Sequence, residues 1–464
     1  MTMSFARQPL AEDFLSQVRA IFGDRLHTGQ AMRQQHGASE SHIETLLPDA
    51  VVFPKSTEEV VQLVNLCRDS HVPLIPYGAG TSLEGHISPV QGGITLDMSE
   101  MNAILSVNTD DFDCVVQPGV RREQLNAHLR DSGLFFPVDP GADATLGGMT
   151  ATRASGTNAV RYGTMREQVL SLRVVTADGR DIQTSRRARK SAAGYDLTAL
   201  MVGSEGTLGI FTEITLRLYG VPETICAAVC SFDTIDGACQ TVVQLIQLGI
   251  QISRVEILDD VQMKASNAWS KLDYPELTTL FFEFQGSPAH VREQIETVSE
   301  LASSHGGGAF KWAEQAEDRT KLWKARHEAY YAAVGMRAGA VGWPTDVCVP
   351  ISRLAECITE TKRDLEQASI PAPILGHVGD GNFHVVFVID PNNPAELAEA
   401  EAINQRLVQR ALAMDGTCTG EHGIGLGKQD WLRTELGEAV DIMKAIKRTL
   451  DPTNILNPGK IFQL

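Results

Sequence analysis

The sequence predicts an α+β protein built of two lobes. Three observations predict it. Short strand-like runs broken by glycine-rich turns fill the chain from Val72 to about residue 220. At Pro222 the texture changes to longer strands alternating with amphipathic helices. The 464 residues also exceed the length at which a single core usually stops growing.

The elements follow in chain order. Residues 11–22 have the spacing of a short amphipathic helix, and His36–Pro48 is expected to be irregular. Ala50–Phe53 reads as a strand stopped by Pro54. Thr57–Ser70 reads as a helix with apolar positions at Val60, Val61, Leu63, Val64 and Leu66, and Ser56 and Thr57 ahead of Glu58 and Glu59 supply the cap. Val72–Pro76 is a strand that runs into a glycine-rich loop. Gly93–Leu96, Ala103–Val107, Cys114–Gln117 and Glu213–Leu218 are further strands. Leu172–Thr176 and Asp181–Thr184 around Asp178-Gly179 form a hairpin, because Asp-Gly suits the tight turn. After Pro222 the order is Ala227–Phe232 strand, Thr234–Leu248 helix, Ser253–Leu258 and Thr279–Gln285 strands, and Ala289–Ser304 helix. A similar set spans Ala340–Val349, Leu354–Gln367, Ile374–Asp390 and Pro394–Met414, which suggests one antiparallel sheet with helices on one face. Asp441–Leu450 is the last helix.

Composition narrows the functional classes. The net charge of −18 argues against a nucleic-acid partner. The eight cysteines form no CxxC pair and read as reduced, buried thiols. The N-terminal stretch carries acids early and has no leader pattern, and no run approaches the ~18 apolar residues of a membrane span. The expected setting is the cytoplasm, with any contact with the inner membrane peripheral.

Three segments of the first lobe are rich in small residues: Pro76-Tyr-Gly-Ala-Gly-Thr-Ser82 with Gly85 and His86, Ala144 to Gly163, and Gly203-Ser-Glu-Gly-Thr-Leu-Gly-Ile210. Such stretches let a long, flat cofactor lie along backbone, and the first can cradle a pyrophosphate. The first is not GxGxxG, since Leu83 interrupts it, and no GK[ST] follows, so neither a nicotinamide site nor a P-loop is indicated. In the second lobe Gly376-His377-Val-Gly-Asp-Gly-Asn-Phe-His384 sets two histidines around a tight turn, and Gly420-Glu421-His422-Gly423 follows. His377, His384 and Glu421 make a divalent-metal set suited to Zn or Mn. Arg326 lies in an expected helix with Trp323 and Tyr330, with Tyr330 on the same face at i, i+4, and a guanidinium there can grip a carboxylate by two hydrogen bonds.

The three glycine-rich segments, in this order, resemble the FAD-binding domain of the vanillyl-alcohol oxidase family. The resemblance implies an α+β fold: a two-subdomain FAD-binding domain over residues 1–220, an α+β, ferredoxin-like substrate cap over 221–420, and 421–464 returning to the FAD domain. It implies non-covalent FAD near Pro76, Tyr77, Gly78, Ala79, Gly80, Thr81, Ser82, Gly85, Thr145, Gly148, Ala151, Thr152, Ser155, Gly156, Ala159, Gly163, Glu205, Gly209, Ile210 and Asn457. Arg153 departs from the family pattern, which has Asn there, and an arginine can alter the contacts or reach a phosphate. Some members of the family link a histidine covalently to the flavin, and His86 is the only candidate in the first loop, but the subgroup resembled here binds FAD non-covalently.

The histidine–glutamate constellation is similar to the group of D-lactate and D-2-hydroxyglutarate dehydrogenases and the large subunit of glycolate oxidase. The residues matching His377, His384 and Glu421 hold the metal there, the one matching His422 is the catalytic base, and Arg326 matches the carboxylate-binding arginine. Trp343 to Pro350 looks like the lactate enzymes' version, with Asp346 steadying a metal-ligating histidine. Bulky Trp323, Tyr330 and Trp343 favour a small substrate.

The expected function is FAD-dependent oxidation of a small D-2-hydroxy acid, D-lactate before D-2-hydroxyglutarate or glycolate. The electron acceptor is a quinone, a cytochrome or an electron-transferring flavoprotein. A flavin subunit working within a complex, a metal-binding protein without redox role, and a homodimer stay open.

Overall fold

The computed structural model describes residues 10–39 and 43–464. The first nine residues of the stretch inspected for a leader, and residues 40–42 of the segment expected to be irregular, lie outside the described residues. The chain divides into two compact units. One comprises Met1–Ser155, Gly163–Val221 and Glu421–Leu464, and the other Gly156–Tyr162 and Pro222–Gly420.

In the first unit, Ala50–Val52 and Leu74–Tyr77 both pair in parallel with Ile94–Asp97, and Leu26–His27 adds an antiparallel edge. Parallel neighbours need a crossover, and the helix Thr57–Ser70 provides it. Its cap forms as the sequence indicates, with Ser56 Oγ accepting from Glu59 N at 3.3 Å. Its buried Val60, Leu63, Val64 and Cys67 join Val52, Leu74, Ile94 and Leu96 in one core. The tail enters the same core through Ile455 and Leu456, and Asn457 N donates to Leu74 O at 2.9 Å. An antiparallel five-stranded sheet of the same unit has the order Ile104–Asn108, Asp113–Val116, Ile210–Arg217, Val169–Val175, Asp181–Gln183.

The second unit is one antiparallel sheet. Its order is Lys311–Ala313, Thr224–Phe232, Thr278–Gly286, Arg254–Leu258, Ile374–Gly376, Asn382–Ile389, Val341–Pro344, with Val347–Cys348 also paired to Asn382–Ile389. Ile257 pairs with Gly376 and Leu375 with His384. That register sets Glu256 and His384 on strands either side of Ile374–Gly376, and His377 directly follows that strand at the start of a short turn. Phe281, Trp323, Leu375, Val386 and Val388 pack the core beside them.

Three expectations about elements are corrected. The stretch after Ala144 is not only loop: Leu146–Thr152 is a short helix, because Thr145 Oγ1 caps it by accepting from Gly148 N at 3.3 Å. Trp323 to Tyr331 is not one helix. It stops at His327, turns at Glu328, and restarts as Ala329–Val334, so Arg326 and Tyr330 are not on a continuous helical face. The irregular stretch starts later, since the helix Gln30–Gly37 includes His36. The helices Arg122–Leu129, Asp260–Ser270 and Gln429–Leu436 also went unread; the first and last have 8 residues each, and helical spacing over so few residues is weak evidence.

Candidate active site

Strand Leu74–Tyr77 delivers Pro76 and Tyr77 to its carboxyl end, and residues 78–85 follow as a loop. Ligands of parallel sheets bind beyond such ends. Gly78 lies against the helix cap, and a Cβ there would overlap Thr145 Oγ1. The other end of that helix receives the third segment: Gly203 N donates to Thr150 O and Glu205 N to Ala151 O, both at 2.9 Å. All three small-residue segments therefore meet at one short helix. Ala151, Thr152 and Ser155 lie on or just past it. Ile210 opens the strand that follows, with Gly209 just before it, and Gly163 belongs to this unit too. Gly156 and Ala159 belong to the second unit. Arg153 takes the left-handed conformation at φ 56° and donates to Val202 O at 3.1 Å, so its guanidinium closes the local backbone.

A buried polar cluster sits in the same unit. The Glu205 carboxylate accepts from Ile424 N at 2.7 Å and Gly425 N at 2.9 Å, with His86 Nε2 at 3.3 Å. Burial alone would raise this carboxyl, but His86 and the two amides outweigh it and hold Glu205 below the usual range. Asn457 Nδ2 donates to His86 O at 3.0 Å and Glu205 O at 2.7 Å.

In the second unit His377 and His384 face each other with ring centres 5.5 Å apart at 86°. His377 Nδ1 is 2.8 Å from Glu256 Oε1, and His384 Nδ1 is 2.8 Å from Thr345 O. Carboxylates and carbonyls only accept, so both Nδ1 atoms carry the proton and both Nε2 atoms are the basic nitrogens. Asp346 was expected to steady a histidine. Its Oδ1 lies 3.8 Å from His384 Nδ1, so the carbonyl of Thr345 is the nearer partner. Asp346 instead accepts from Asn382 Nδ2 at 2.8 Å and Thr419 Oγ1 at 2.7 Å. Gly420 packs on this pair, where a Cβ would overlap Asn382 Nδ2. Glu421 and His422 are the next two residues, with His422 Nε2 3.7 Å from Glu421 Oε1.

Arg326 Nε donates to Glu256 Oε2 at 2.7 Å. Glu256 thus joins Arg326 to His377, and it was missed in the sequence. The signal was there: a glutamate in the middle of the apolar strand RVEIL. Trp323 is packed in the core against Phe281, with Arg254 5.5 Å over its ring. Tyr330 Oη reaches Gly342 O at 3.4 Å, and Trp343 packs edge-on against Phe387.

Residues 48–185 match the family model for a FAD binding domain, and residues 221–461 that for FAD linked oxidases, C-terminal domain. The chain belongs to the FAD-linked oxidase family. This FAD-linked oxidase is 52% identical over 464 residues to a probable mitochondrial D-lactate dehydrogenase of Danio rerio, covering 99% of this chain and 93% of the relative. It is 48% identical over 453 residues to a mitochondrial D-lactate dehydrogenase (cytochrome) of Arabidopsis thaliana, covering 97% and 80%. It is 34% identical over 421 residues to glycolate oxidase subunit GlcD of Bacillus subtilis, covering 90% and 89%. A crystal structure of p-cresol methylhydroxylase with substrate bound superposes with a TM-score of 0.81 at 19% identity over 98% of each chain, which shows the vanillyl-alcohol oxidase-type fold.

The first unit fits the family's FAD. Ser82 Oγ, Ser204 Oγ and Asn457 Oδ1 are buried and have no hydrogen-bond partner among the described residues. Buried polar atoms are normally satisfied. Unsatisfied atoms on the first and third glycine-rich segments and on the returning tail suit a long polar ligand. The cytoplasmic expectation is overturned, because the Danio and Arabidopsis relatives, and one from Saccharomyces cerevisiae, are named as mitochondrial. Charge and thiol burial describe the folded body, whereas an address is carried by segments outside it.

Proposed function

We propose that this FAD-linked oxidase oxidises D-lactate to pyruvate. The observation that carries the reading is identity of 42% to 52%, over 90% to 99% of the chain, to relatives named D-lactate dehydrogenase. The FAD-binding domain would be 1–220 with 421–464, and 221–420 the substrate cap. The three glycine-rich segments and Asn457 would hold FAD, which would supply the hydride acceptor for the C2 hydrogen. A Zn or Mn ion, held by His377, His384 and Glu421, would act as Lewis acid on the C2 hydroxyl. The two basic Nε2 atoms support that donor set. Histidine ligands bind through the nitrogen opposite their protonated one.

The chain's own groups do the rest. His422 takes the hydroxyl proton as C2–O becomes a carbonyl. Arg326 grips the substrate carboxylate with its terminal amino groups, which its bond to Glu256 through Nε leaves out. Tyr330 would shape the side-chain end of the site, whereas Trp323, expected there from the sequence, is packed in the core. A cytochrome is the favoured electron acceptor, since three relatives carry that word in their names. Glycolate oxidation is the second reading, on the GlcD likeness.

The test is anaerobic mixing with D-lactate, L-lactate, D-2-hydroxyglutarate and glycolate while following the flavin's visible band. Bleaching by D-lactate ahead of the others, lost on chelation, is expected. Bleaching by glycolate alone would favour the second reading, and no bleaching by any of them would overturn both.

A further inference from the structure

We infer that Glu256 is a positioning residue that couples the metal ligand His377 to the substrate-binding Arg326; the inference rests on the function proposed above. Its carboxylate is fully buried on the central strand Arg254–Leu258. Each oxygen takes a different partner, Oε1 facing His377 Nδ1 at 2.8 Å and Oε2 accepting from Arg326 Nε at 2.7 Å.

The arrangement has three consequences. A carboxylate accepts only, so the His377 proton stays on Nδ1 and the coordinating lone pair on Nε2. A carboxylate partner also fixes the orientation of that imidazole ring. Arg326 is held through Nε, so this bond does not use the two terminal amino groups that can grip a second carboxylate side by side. Burying a carboxylate is costly unless it is fully paired, and an apolar residue would suit this strand better for stability alone. The strand is paired on both sides, to Thr278–Gly286 and Ile374–Gly376, so the carboxylate is anchored in the stiff part of the unit.

The signature is a double effect from one residue. Glu256→Gln keeps the shape but has one accepting oxygen for two donors. Metal affinity is therefore expected to fall about 10–100-fold, and KM for D-lactate to rise about 10-fold as Arg326 loosens, in line with the same range for such supporting groups. Wild type, Glu256→Gln and His377→Ala would be stripped with chelator and titrated with Mn(II) and Zn(II). Bound metal would be measured directly, and kcat and KM separately. Thermal melts and the flavin spectrum would report folding. Loss of metal affinity together with a raised KM in Glu256→Gln supports the inference. Wild-type values for both, in a preparation where His377→Ala has lost the metal, overturn it alone. Equal metal binding by wild type and His377→Ala overturns the metal reading and the inference with it. Should Glu256→Gln fail to fold, Glu256→Asp carries the test. It keeps the charge but spans one donor at a time, so intermediate affinity and KM support the coupling and unchanged values overturn it.

Discussion

In the first unit the buried carboxylate of Glu205 is held by two backbone amides, Ile424 N and Gly425 N, with His86 beside it; in the second the buried carboxylate of Glu256 is held by two side chains, His377 and Arg326. Both are pulled below the usual range for a carboxyl, against a burial effect that would raise them. The means differ. Backbone donors come with the path of the chain, so the first cluster depends on glycines that let segments approach. Side-chain donors sit 70 and 121 residues from Glu256, so the second depends on sheet register. Under the proposed function, the first cluster would hold a ligand along its length and the second would aim a few reacting groups.

That contrast breaks or sharpens by experiment. The largest effect should come from His422→Ala, which removes the proposed base: kcat is expected to fall about 10²–10⁴-fold while the purified protein keeps its flavin colour. Loss of colour instead would mean that the base and the cofactor site are not separable. Next, His384→Ala or chelation is expected to cut turnover by at least about 100-fold, with activity restored by Mn or Zn only in the chelated wild type. Activity indifferent to chelator would remove the metal from the second cluster. Gly78→Ala tests the backbone-built cluster. Its Cβ would overlap Thr145 Oγ1, so a cost of about 1–3 kcal/mol should show as weaker FAD retention, read as the flavin-to-protein absorbance ratio.

The smallest effect is a pH dependence in the first unit. Lys460 is buried with Nζ on Ser88 O at 2.6 Å, and burial lowers its ammonium from the ordinary 10.5 to about 7, Glu205 pulling the other way. Between about 7 and 10.5 the unfolded chain binds a proton that the folded chain does not, so stability rises with pH across that window and is lost as pH falls toward 7. Melting temperatures at pH 7, 8 and 9 should show the rise, flattened in Lys460→Met. An equal slope in the variant would assign it to another group.

Legibility in the sequence followed the same division. The helix Thr57–Ser70 was readable to the residue because its cap and its apolar spacing agree. The glycine-rich segments were readable because small residues at a close backbone approach leave a local pattern. The helix Leu146–Thr152 was hidden by that same composition, since glycine and threonine are poor helix formers and the cap at Thr145 and tertiary packing decide the matter. The break at Glu328 was invisible because helix spacing continues across it. Thr345 O as the partner of His384 was beyond reach, because a backbone carbonyl has no sequence signal.

The sequence by itself determined the α+β character, the three small-residue segments that meet at one short helix, and the histidine and glutamate candidates, because residue type and local spacing carry that information. Only the tertiary structure decided which nitrogen of each histidine is basic, what holds Arg326, and that one glutamate serves both. Hydrogen-bond partners far apart in the chain are chosen by strand register, and register is settled by the packing of the whole sheet.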